Sequence, residues 1–167
     1  TSTIFNTGPS WSVAGGQIRS WNRLGHGKQT FVQTLENSDN IAYAQLSVEM
    51  GPSRFYPYLT DFGFGSRLGI DYPGESSGTL SGPGQIRHGE TLQWANIGFG
   101  QGLAVTPLQL AAGVNAVATG GILLKPYYVA EVRDADGQLK SRTEPEILGL
   151  PIHPATAQTV AAMMHSV

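Results

Sequence analysis

Glycine and proline interrupt this chain so often that only short helices and strands can form between them. The 167 residues include 22 glycines and 10 prolines, several of them adjacent, as in Gly51-Pro52 and Gly120-Gly121. Glycine adopts backbone angles that end helices, and proline lacks the N–H group that a helix interior needs. Because only 13% of the residues are charged, we expect ordered loops lying on apolar surface rather than a disordered polar tract.

Two capping boxes mark the clearest helix starts. Thr30 is followed by Gln33, and Thr106 by Pro107 and Gln109. In such a box the threonine and glutamine side chains bond each other's backbone N–H groups, and proline suits the first helical position. The sequence predicts helices over about 30–37, from 38 or 40 to 51, over 52–63 and 106–120, and a last one that begins at Pro154 and in which the chain ends.

The other segments predict loops and a little β-structure within a single domain over residues 1–167. Residues 1–29 read as an irregular loop region with a weak edge strand at 17–21, and 62–93 as glycine-rich loop. Residues 122–142 are rich in β-branched and aromatic side chains around the turn sequence Asp134-Ala135-Asp136-Gly137. This pattern predicts a β-ribbon.

Composition removes several classes of function. A net charge of −2 and a pI near 6.0 give no electrostatic reason to expect a nucleic-acid partner. Zero cysteines exclude disulfides and thiolate metal sites. Histidines 26, 88, 153 and 165 show no ligand spacing, so neither a metal site nor another cofactor is expected. No stretch approaches the roughly 20 apolar residues that a membrane span requires.

The tripeptide Ser38-Asp39-Asn40 is the main candidate for chemistry. Taken alone it is a weak signal, because Ser38 and Asn40 could simply cap a helix. Its context changes the interpretation. The chain continues with the segments Phe62-Gly63-Phe64-Gly65, Gly69-Ile70-Asp71, Pro73-Gly74-Glu75, Phe99-Gly100-Gln101-Gly102 and Val105-Thr106-Pro107-Leu108-Gln109-Leu110.

This ordered string resembles the transpeptidase domain of class B penicillin-binding proteins, the D,D-transpeptidases that cross-link peptidoglycan. The resemblance runs from about Trp21 to the C-terminus. It implies the helical lobe of the α/β penicillin-binding and serine β-lactamase-like transpeptidase fold. For this chain we therefore expect a mainly α structure with long loops and a small β-ribbon.

The resemblance also implies roles for individual residues. Ser38 corresponds to a serine of the catalytic cleft whose hydroxyl helps pass a proton to the leaving group. Asn40 corresponds to the residue whose amide bonds the substrate backbone and the catalytic lysine. A hydroxyl both donates and accepts, and a carboxamide orients an amide without adding charge. Asp39 receives no role, and we expect it to be solvated near a helix start.

Two further features have competing interpretations. Trp21 resembles an aromatic wall beside the bound β-lactam or peptide, while a ring that anchors its loop on the core is the alternative. Gly100, Gln101 and Gly102 favour a structural motif over a site. The glycines would allow unusual backbone angles, and the glutamine would satisfy loop amides.

The family's active site has two further motifs that this sequence lacks. No serine is followed three places later by lysine, and no Lys-Thr-Gly occurs, although S-x-x-K carries the nucleophile and K-T-G lines the opposite wall. We expect this chain to be inactive alone, as a fragment of an enzyme. The alternatives are a non-catalytic binding module of the cell-wall synthesis machinery and, less well matched, a serine β-lactamase relative.

The partners and location follow from the family. In the complete enzyme the partners would be peptidoglycan stem peptides and β-lactams, together with the remainder of the transpeptidase domain. The face that meets the missing sheet should be apolar and exposed, which predicts a homodimer or poor solubility for the isolated chain. The resemblance implies the extracytoplasmic face of a bacterial cell membrane, with the anchor outside this chain.

Overall fold

The computed structural model describes residues 3–86 and 88–167, and these ranges contain short helices and short antiparallel strands. In chain order the elements are β1 Ile4–Thr7, β2 Ser10–Val13, β3 Gly16–Arg19, β4 Gly27–Thr30, α1 Phe31–Glu36, α2 Asn40–Met50, α3 Pro52–Asp61, α4 Glu90–Gly98, α5 Pro107–Ala118, β5 Leu123–Leu124, β6 Glu131–Arg133, β7 Leu139–Arg142, β8 Ile147–Gly149 and α6 Pro154–Met164.

Local capping explains where several helices begin. The hydroxyl groups of Thr30 and Thr106 accept hydrogen bonds from the backbone N–H groups of Gln33 and Gln109, and both reciprocal bonds of each capping box are formed. Gly51 caps the end of α2 with a φ of 74°. The predicted helices at 30–37, 38 or 40–51 and 106–120 are therefore confirmed. The helices predicted from Pro52 and Pro154 also form, but the last one ends at Met164, before the final three residues, so the prediction that the chain ends inside it is wrong.

The described residues fall into two compact units. Those among 1–57, 80–104 and 160–167 form the first unit, and 58–79 with 105–159 form the second. The prediction of a single domain over 1–167 stays a prediction. Within the described residues no helix has both the length and the apolar character needed to cross a membrane.

The first unit is built on two antiparallel ribbons and the packing of α2 against α4. β1 pairs with β4, and β2 with β3, so the region 1–29, predicted to be irregular, carries three complete strands and most of a fourth. β3 overlaps the predicted edge strand at 17–21. Ile18, Ile41, Ala44 and Ala95 form a buried apolar cluster. These strands are only four residues long, and their partners are not apparent from local pattern.

Helices α2 and α4 approach closely because Gly98 has no side chain. A Cβ at Gly98 would stand 2.5 Å from Ser47 Oγ and 2.6 Å from the carbonyl oxygen of Tyr43. The Ser47 hydroxyl also donates to the carbonyl of Trp94 at 2.9 Å. The sequence predicts loop up to Gln93, and α4, which begins at Glu90, corrects that prediction.

The second unit is held by a buried glutamine on α5. Gln109 is fully buried, and its Nε2 donates to the carbonyl oxygens of Gly63, Ser66 and Ser77 at 3.1, 2.8 and 2.9 Å. Its Oε1 accepts from the backbone N–H of Thr106 at 2.9 Å. The Gln109 side chain therefore caps the start of its own helix and also holds the loop over residues 63–77 in place.

The strands of the second unit form two ladders rather than one ribbon. β6 pairs with β7 across the turn at 134–137, inside the predicted 122–142 ribbon. β5 pairs with β8 instead, which lies beyond that range. The mainly helical fold class with small β-structure is confirmed, with more β-pairing than the sequence predicts.

The carboxyl group of Asp71 tethers another loop of the second unit. It accepts hydrogen bonds from the backbone N–H groups of Tyr128 at 2.5 Å and Val129 at 3.1 Å. These bonds lower the pKa of Asp71 from its ordinary value, and the bond from Tyr128 has the larger effect. Because they favour the charged form, the folded state prefers the ionised carboxylate.

Replacing Asp71 with asparagine should lower the thermal midpoint of the full-length protein at pH 7 and have less effect in acid. A depressed folded pKa contributes stability above the unfolded pKa, and this contribution is lost as the pH falls through the folded pKa. Thermal unfolding of both proteins from pH 7 down to about pH 3 tests this. The control is Asp136→Asn, at an exposed turn position. A difference that persists unchanged into acid would contradict the assignment.

Candidate functional site

The tripeptide Ser38-Asp39-Asn40 lies where α1 ends and α2 begins. Asn37 caps the C-terminus of α1, and Asp39 caps the N-terminus of α2. Between them Ser38 has a φ of 48°, in the left-handed region that non-glycine residues rarely adopt. This conformation follows the C-cap of α1, and α2 begins two residues later at Asn40.

Asp39 is buried, which corrects the expectation that it would be solvated. It is 0% exposed, and its Oδ1 accepts from the backbone N–H groups of Ile41 at 2.9 Å and Ala42 at 3.2 Å. Its Oδ2 accepts from the hydroxyl of Thr7 at 2.5 Å and from the Gln29 carboxamide. A buried carboxyl group needs such partners because desolvation without them is costly. The expected interaction with the start of the helix is present as a direct cap.

The partners of Asp39 form a network that the sequence did not reveal. Thr7 comes from β1 and Gln29 from β4, and pairing of these strands brings both under the tripeptide. Gln29 also donates to the Thr7 hydroxyl at 3.2 Å and accepts from the Asn37 side chain at 3.0 Å. No local signal marks these residues, because the contacts depend on segments far apart in the chain.

Because Asp39 makes the cap, Ser38 and Asn40 are available for other contacts. Within the described residues the Ser38 hydroxyl makes no hydrogen bond, and Ser38 is exposed. The Asn40 Nδ2 group donates to the carbonyl oxygen of Arg19 at 3.3 Å. The capping alternative for Ser38 and Asn40 is therefore wrong.

Both residues line one cavity of about 270 Å³, together with Tyr43 and Phe99. Burial raises the pKa of the Tyr43 phenol, and the nearby Asp39 carboxylate acts in the same direction, against a hydrogen bond with Thr34. The raised pKa keeps the Tyr43 phenol neutral at pH 7. Ser38 brings a hydroxyl and Asn40 a carboxamide to this cavity, which Asp39 also lines while its carboxyl group caps α2.

Trp21 is exposed rather than packed in the core. Its side chain is 65% exposed, and its Nε1–H group donates to the carbonyl oxygen of Asn37 at 2.8 Å. The alternative in which Trp21 anchors its loop on the core is therefore wrong. Its assignment to substrate binding stays a prediction.

The glycines of the Gly100-Gln101-Gly102 segment adopt the backbone angles expected of them. Gly100 has a φ of 85° and Gly102 a φ of 78°. The glutamine differs from expectation, because Gln101 is exposed and Gln93 instead donates from Nε2 to the carbonyl of Gly102 at 2.7 Å. The segment follows α4, and Phe99, which precedes it, lines the cavity of the tripeptide.

Larger cavities are lined by residues of the second unit. Two in the second unit, of about 560 and 540 Å³, contain no residue of the tripeptide. Within residues 3–86 and 88–167 no group of three or more His, Cys, Asp or Glu side chains could hold a metal ion. We therefore place the candidate site at Ser38 and Asn40.

Comparison with known proteins identifies the family to which this chain belongs. The family model of the penicillin-binding protein transpeptidase domain matches residues 1–167, so the chain belongs to that family. The resemblance stated from the motifs is confirmed.

Particular relatives agree with this assignment. Stage V sporulation protein D of Bacillus subtilis is 39% identical over 119 residues, which are 71% of this chain and 18% of that protein. Penicillin-binding protein PbpB of Mycolicibacterium smegmatis is 35% identical over 150 residues, 89% of this chain and 22% of the relative. The chain thus spans about a fifth of the length of these relatives.

Solved structures share the fold. Penicillin-binding protein 3 of Mycobacterium tuberculosis, solved with aztreonam, superposes with a TM-score of 0.82 at 29% identity over 96% of this chain and 35% of that one. The D,D-transpeptidase domain of a peptidoglycan glycosyltransferase from Eggerthella lenta gives a TM-score of 0.85 at 23% identity, over 96% of this chain and 42% of its own. The helical lobe of the penicillin-binding fold is confirmed.

Proposed function

We propose that this chain is the part of a peptidoglycan D,D-transpeptidase that supplies the Ser38 and Asn40 wall of the active site. One observation carries the proposal: the buried Asp39 makes the helix cap, so that within the described residues the Ser38 hydroxyl and the Asn40 carboxamide oxygen have no hydrogen-bond partner and both residues line one cavity. Membership of the transpeptidase family supports the same reading.

In the proposed reaction a serine outside this chain attacks the carbonyl carbon of the penultimate D-Ala of a stem peptide. The bond to the terminal D-Ala breaks, and that residue leaves as an amine that must gain a proton. Ser38 passes this proton, because its hydroxyl can accept one hydrogen bond while donating another. An amine of a neighbouring strand then displaces the serine and completes the cross-link.

Asn40 orients the donor in this scheme. Its Nδ2 group is held by the carbonyl of Arg19, so the side-chain oxygen has a defined direction and can accept from a substrate N–H group or the catalytic lysine. A carboxamide does this without adding charge to a site that must also hold an ammonium group. β-Lactams would acylate the same serine, as mimics of the donor.

The remaining assignments extend the proposal to the whole protein. The remainder of the transpeptidase domain would cover the exposed apolar side chains of the second unit, among them Ile147 and Leu150, which are 61% and 72% exposed. Without it, these side chains would favour a homodimer or poor solubility. The protein would act at the extracytoplasmic face of a bacterial cell membrane, held by an anchor outside this chain.

A fluorescent penicillin should label the full-length protein covalently and should not label residues 1–167 alone. The isolated chain has no S-x-x-K serine, and without the nucleophile no acyl-enzyme can form. Labelled bands on a denaturing gel, with and without prior incubation with unlabelled penicillin, give the result.

Two outcomes would overturn this account. An unlabelled full-length protein would favour a non-catalytic binding module, and a labelled isolated chain would mean that its nucleophile lies within residues 1–167. Sedimentation of the same isolated chain separately tests the exposed apolar face. Self-association or precipitation is expected, and a freely soluble monomer at high concentration would count against the exposed apolar face.

A further inference from the structure

We propose that the main role of Trp21 is to position Ser38 through its hydrogen bond to the carbonyl group of Asn37. The inference rests on the proposed function, since it assigns Trp21 a part in the step that Ser38 performs. It differs from the expectation of an aromatic wall, in which the ring itself would contact the ligand.

The backbone conformation of Ser38 must be stabilised by contacts from other residues. Its φ of 48° lies in a region that costs a non-glycine residue roughly 1 kcal/mol. Its own hydroxyl forms no hydrogen bond within the described residues. The direction of the side chain is therefore set by the backbone on either side of it.

The peptide group between Asn37 and Ser38 is fixed at both ends. Its carbonyl oxygen, on Asn37, accepts from the indole N–H of Trp21 at 2.8 Å. Its N–H group, on Ser38, donates to the carbonyl oxygen of Leu35 at 3.0 Å. A rotation of this peptide plane would break both hydrogen bonds and would turn the Ser38 hydroxyl to a new direction. Within residues 3–86 and 88–167, the Trp21 indole and the Leu35 carbonyl are the two hydrogen-bond partners of this peptide group.

The segment that carries Trp21 is itself anchored and contacts the tripeptide twice. The backbone N–H of Ser20 donates to the carbonyl of Pro9 at 3.0 Å. Two residues before Trp21, the carbonyl of Arg19 accepts from the Asn40 side chain at 3.3 Å. The end of β3 therefore orients both proposed site residues, one through a backbone carbonyl and the other through an indole.

Geometry also distinguishes positioning from packing. Trp21 is 65% exposed, so its ring contributes little to the core, and its removal should leave the fold intact. Phenylalanine keeps an aromatic surface at this position but cannot donate the hydrogen bond. Trp21→Phe therefore separates the N–H group from the ring.

In the full-length protein, stopped-flow acylation by a fluorescent penicillin should resolve the acylation rate constant from the dissociation constant of the initial complex. Trp21→Phe should lower the rate constant about tenfold, as expected for the loss of one orienting hydrogen bond, and change the dissociation constant less than about twofold. Trp21→Ala should lower the rate constant to the same extent. The matched control is Trp11→Phe, at a half-buried position whose indole makes no hydrogen bond within the described residues.

A second measurement does not depend on acylation. Hydrogen exchange at the Ser38 amide of the full-length protein should become about tenfold faster in Trp21→Phe, because the other end of its peptide plane is released. An unchanged rate constant, or a loss confined to the dissociation constant, would overturn the inference and favour the aromatic wall. Unchanged exchange would also overturn it. If the wild-type protein is not acylated, the proposed function is wrong. The exchange measurement would still test whether the Trp21 hydrogen bond to the Asn37 carbonyl holds the Ser38 peptide group.

Discussion

Replacing Asp39 with alanine is expected to lower the free energy of unfolding of the first unit by about 4 kcal/mol, which is the largest stability effect we predict for this chain. The N-cap of α2 accounts for about 1 kcal/mol. The hydroxyl of Thr7 and the carboxamide of Gln29 would remain buried without their acceptor, and each such group costs about 1–3 kcal/mol. Asp39 is 0% exposed, so water cannot readily replace the carboxyl oxygens.

Hydrogen exchange at the amides of α2, residues Asn40–Met50, in the full-length protein measures this effect without interference from other domains. Asp39→Asn should lose less, since its side-chain oxygen can still accept from the start of α2, while its NH₂ group would face the Gln29 donor. Asp136→Ala, at an exposed turn position, is the control. A loss below about 1 kcal/mol in Asp39→Ala would mean that the network does not hold the tripeptide.

The helices that the sequence predicted well are those with local signals. Thr30 with Gln33 and Thr106 with Gln109 form both bonds of their capping boxes, and these bonds join residues three apart, so they are visible in any short window. Gly51 ends α2 for an equally local reason. Such elements can be predicted because their geometry depends on a few neighbouring residues.

The elements that the sequence missed lack such signals. Helix α4 starts after Gly89, which has a φ of 69° and offers no capping side chain. Glycine is typical of loops, so the sequence gives no local sign that a helix begins there. The four strands of the first unit are four residues long, and their pairing depends on register between separate segments. Tertiary contacts rather than propensity decide these elements.

The residues of the candidate site also differ in how far the sequence alone predicts them. Motif order and family resemblance predict Ser38 and Asn40 as site residues, and in the structure Asp39 makes the helix cap while both residues line one cavity. Asp39 was misjudged because its partners Thr7 and Gln29 reach it only after β1 and β4 pair. A charged side chain beside a helix start is usually solvated, and only the fold reveals that this one is enclosed.

Replacing Ser38 with alanine in the full-length protein should slow acylation by a β-lactam about 100-fold, within the range that a positioned proton-transfer group contributes. The fold should not change, because Ser38 is exposed and its hydroxyl makes no hydrogen bond within the described residues. A loss of this size is about 2.7 kcal/mol of transition-state stabilisation. The dissociation constant of the initial complex should change little, since the proton moves only in the transition state.

The control variant is Ser141→Ala, which makes the same substitution at an exposed position in β7. It should acylate at the wild-type rate. Equal thermal midpoints of the wild-type protein and both variants would exclude misfolding as the cause of any loss.

The acylation rate constant of the Ser38→Ala protein, measured by stopped-flow with a fluorescent penicillin, therefore tests most directly whether this chain supplies part of a transpeptidase active site. If Ser38 relays the proton, this rate constant is about 100-fold below the wild-type value, and that of Ser141→Ala is unchanged. A rate constant within about twofold of wild type would contradict it, because a proton-relay group cannot be removed from this reaction without slowing it.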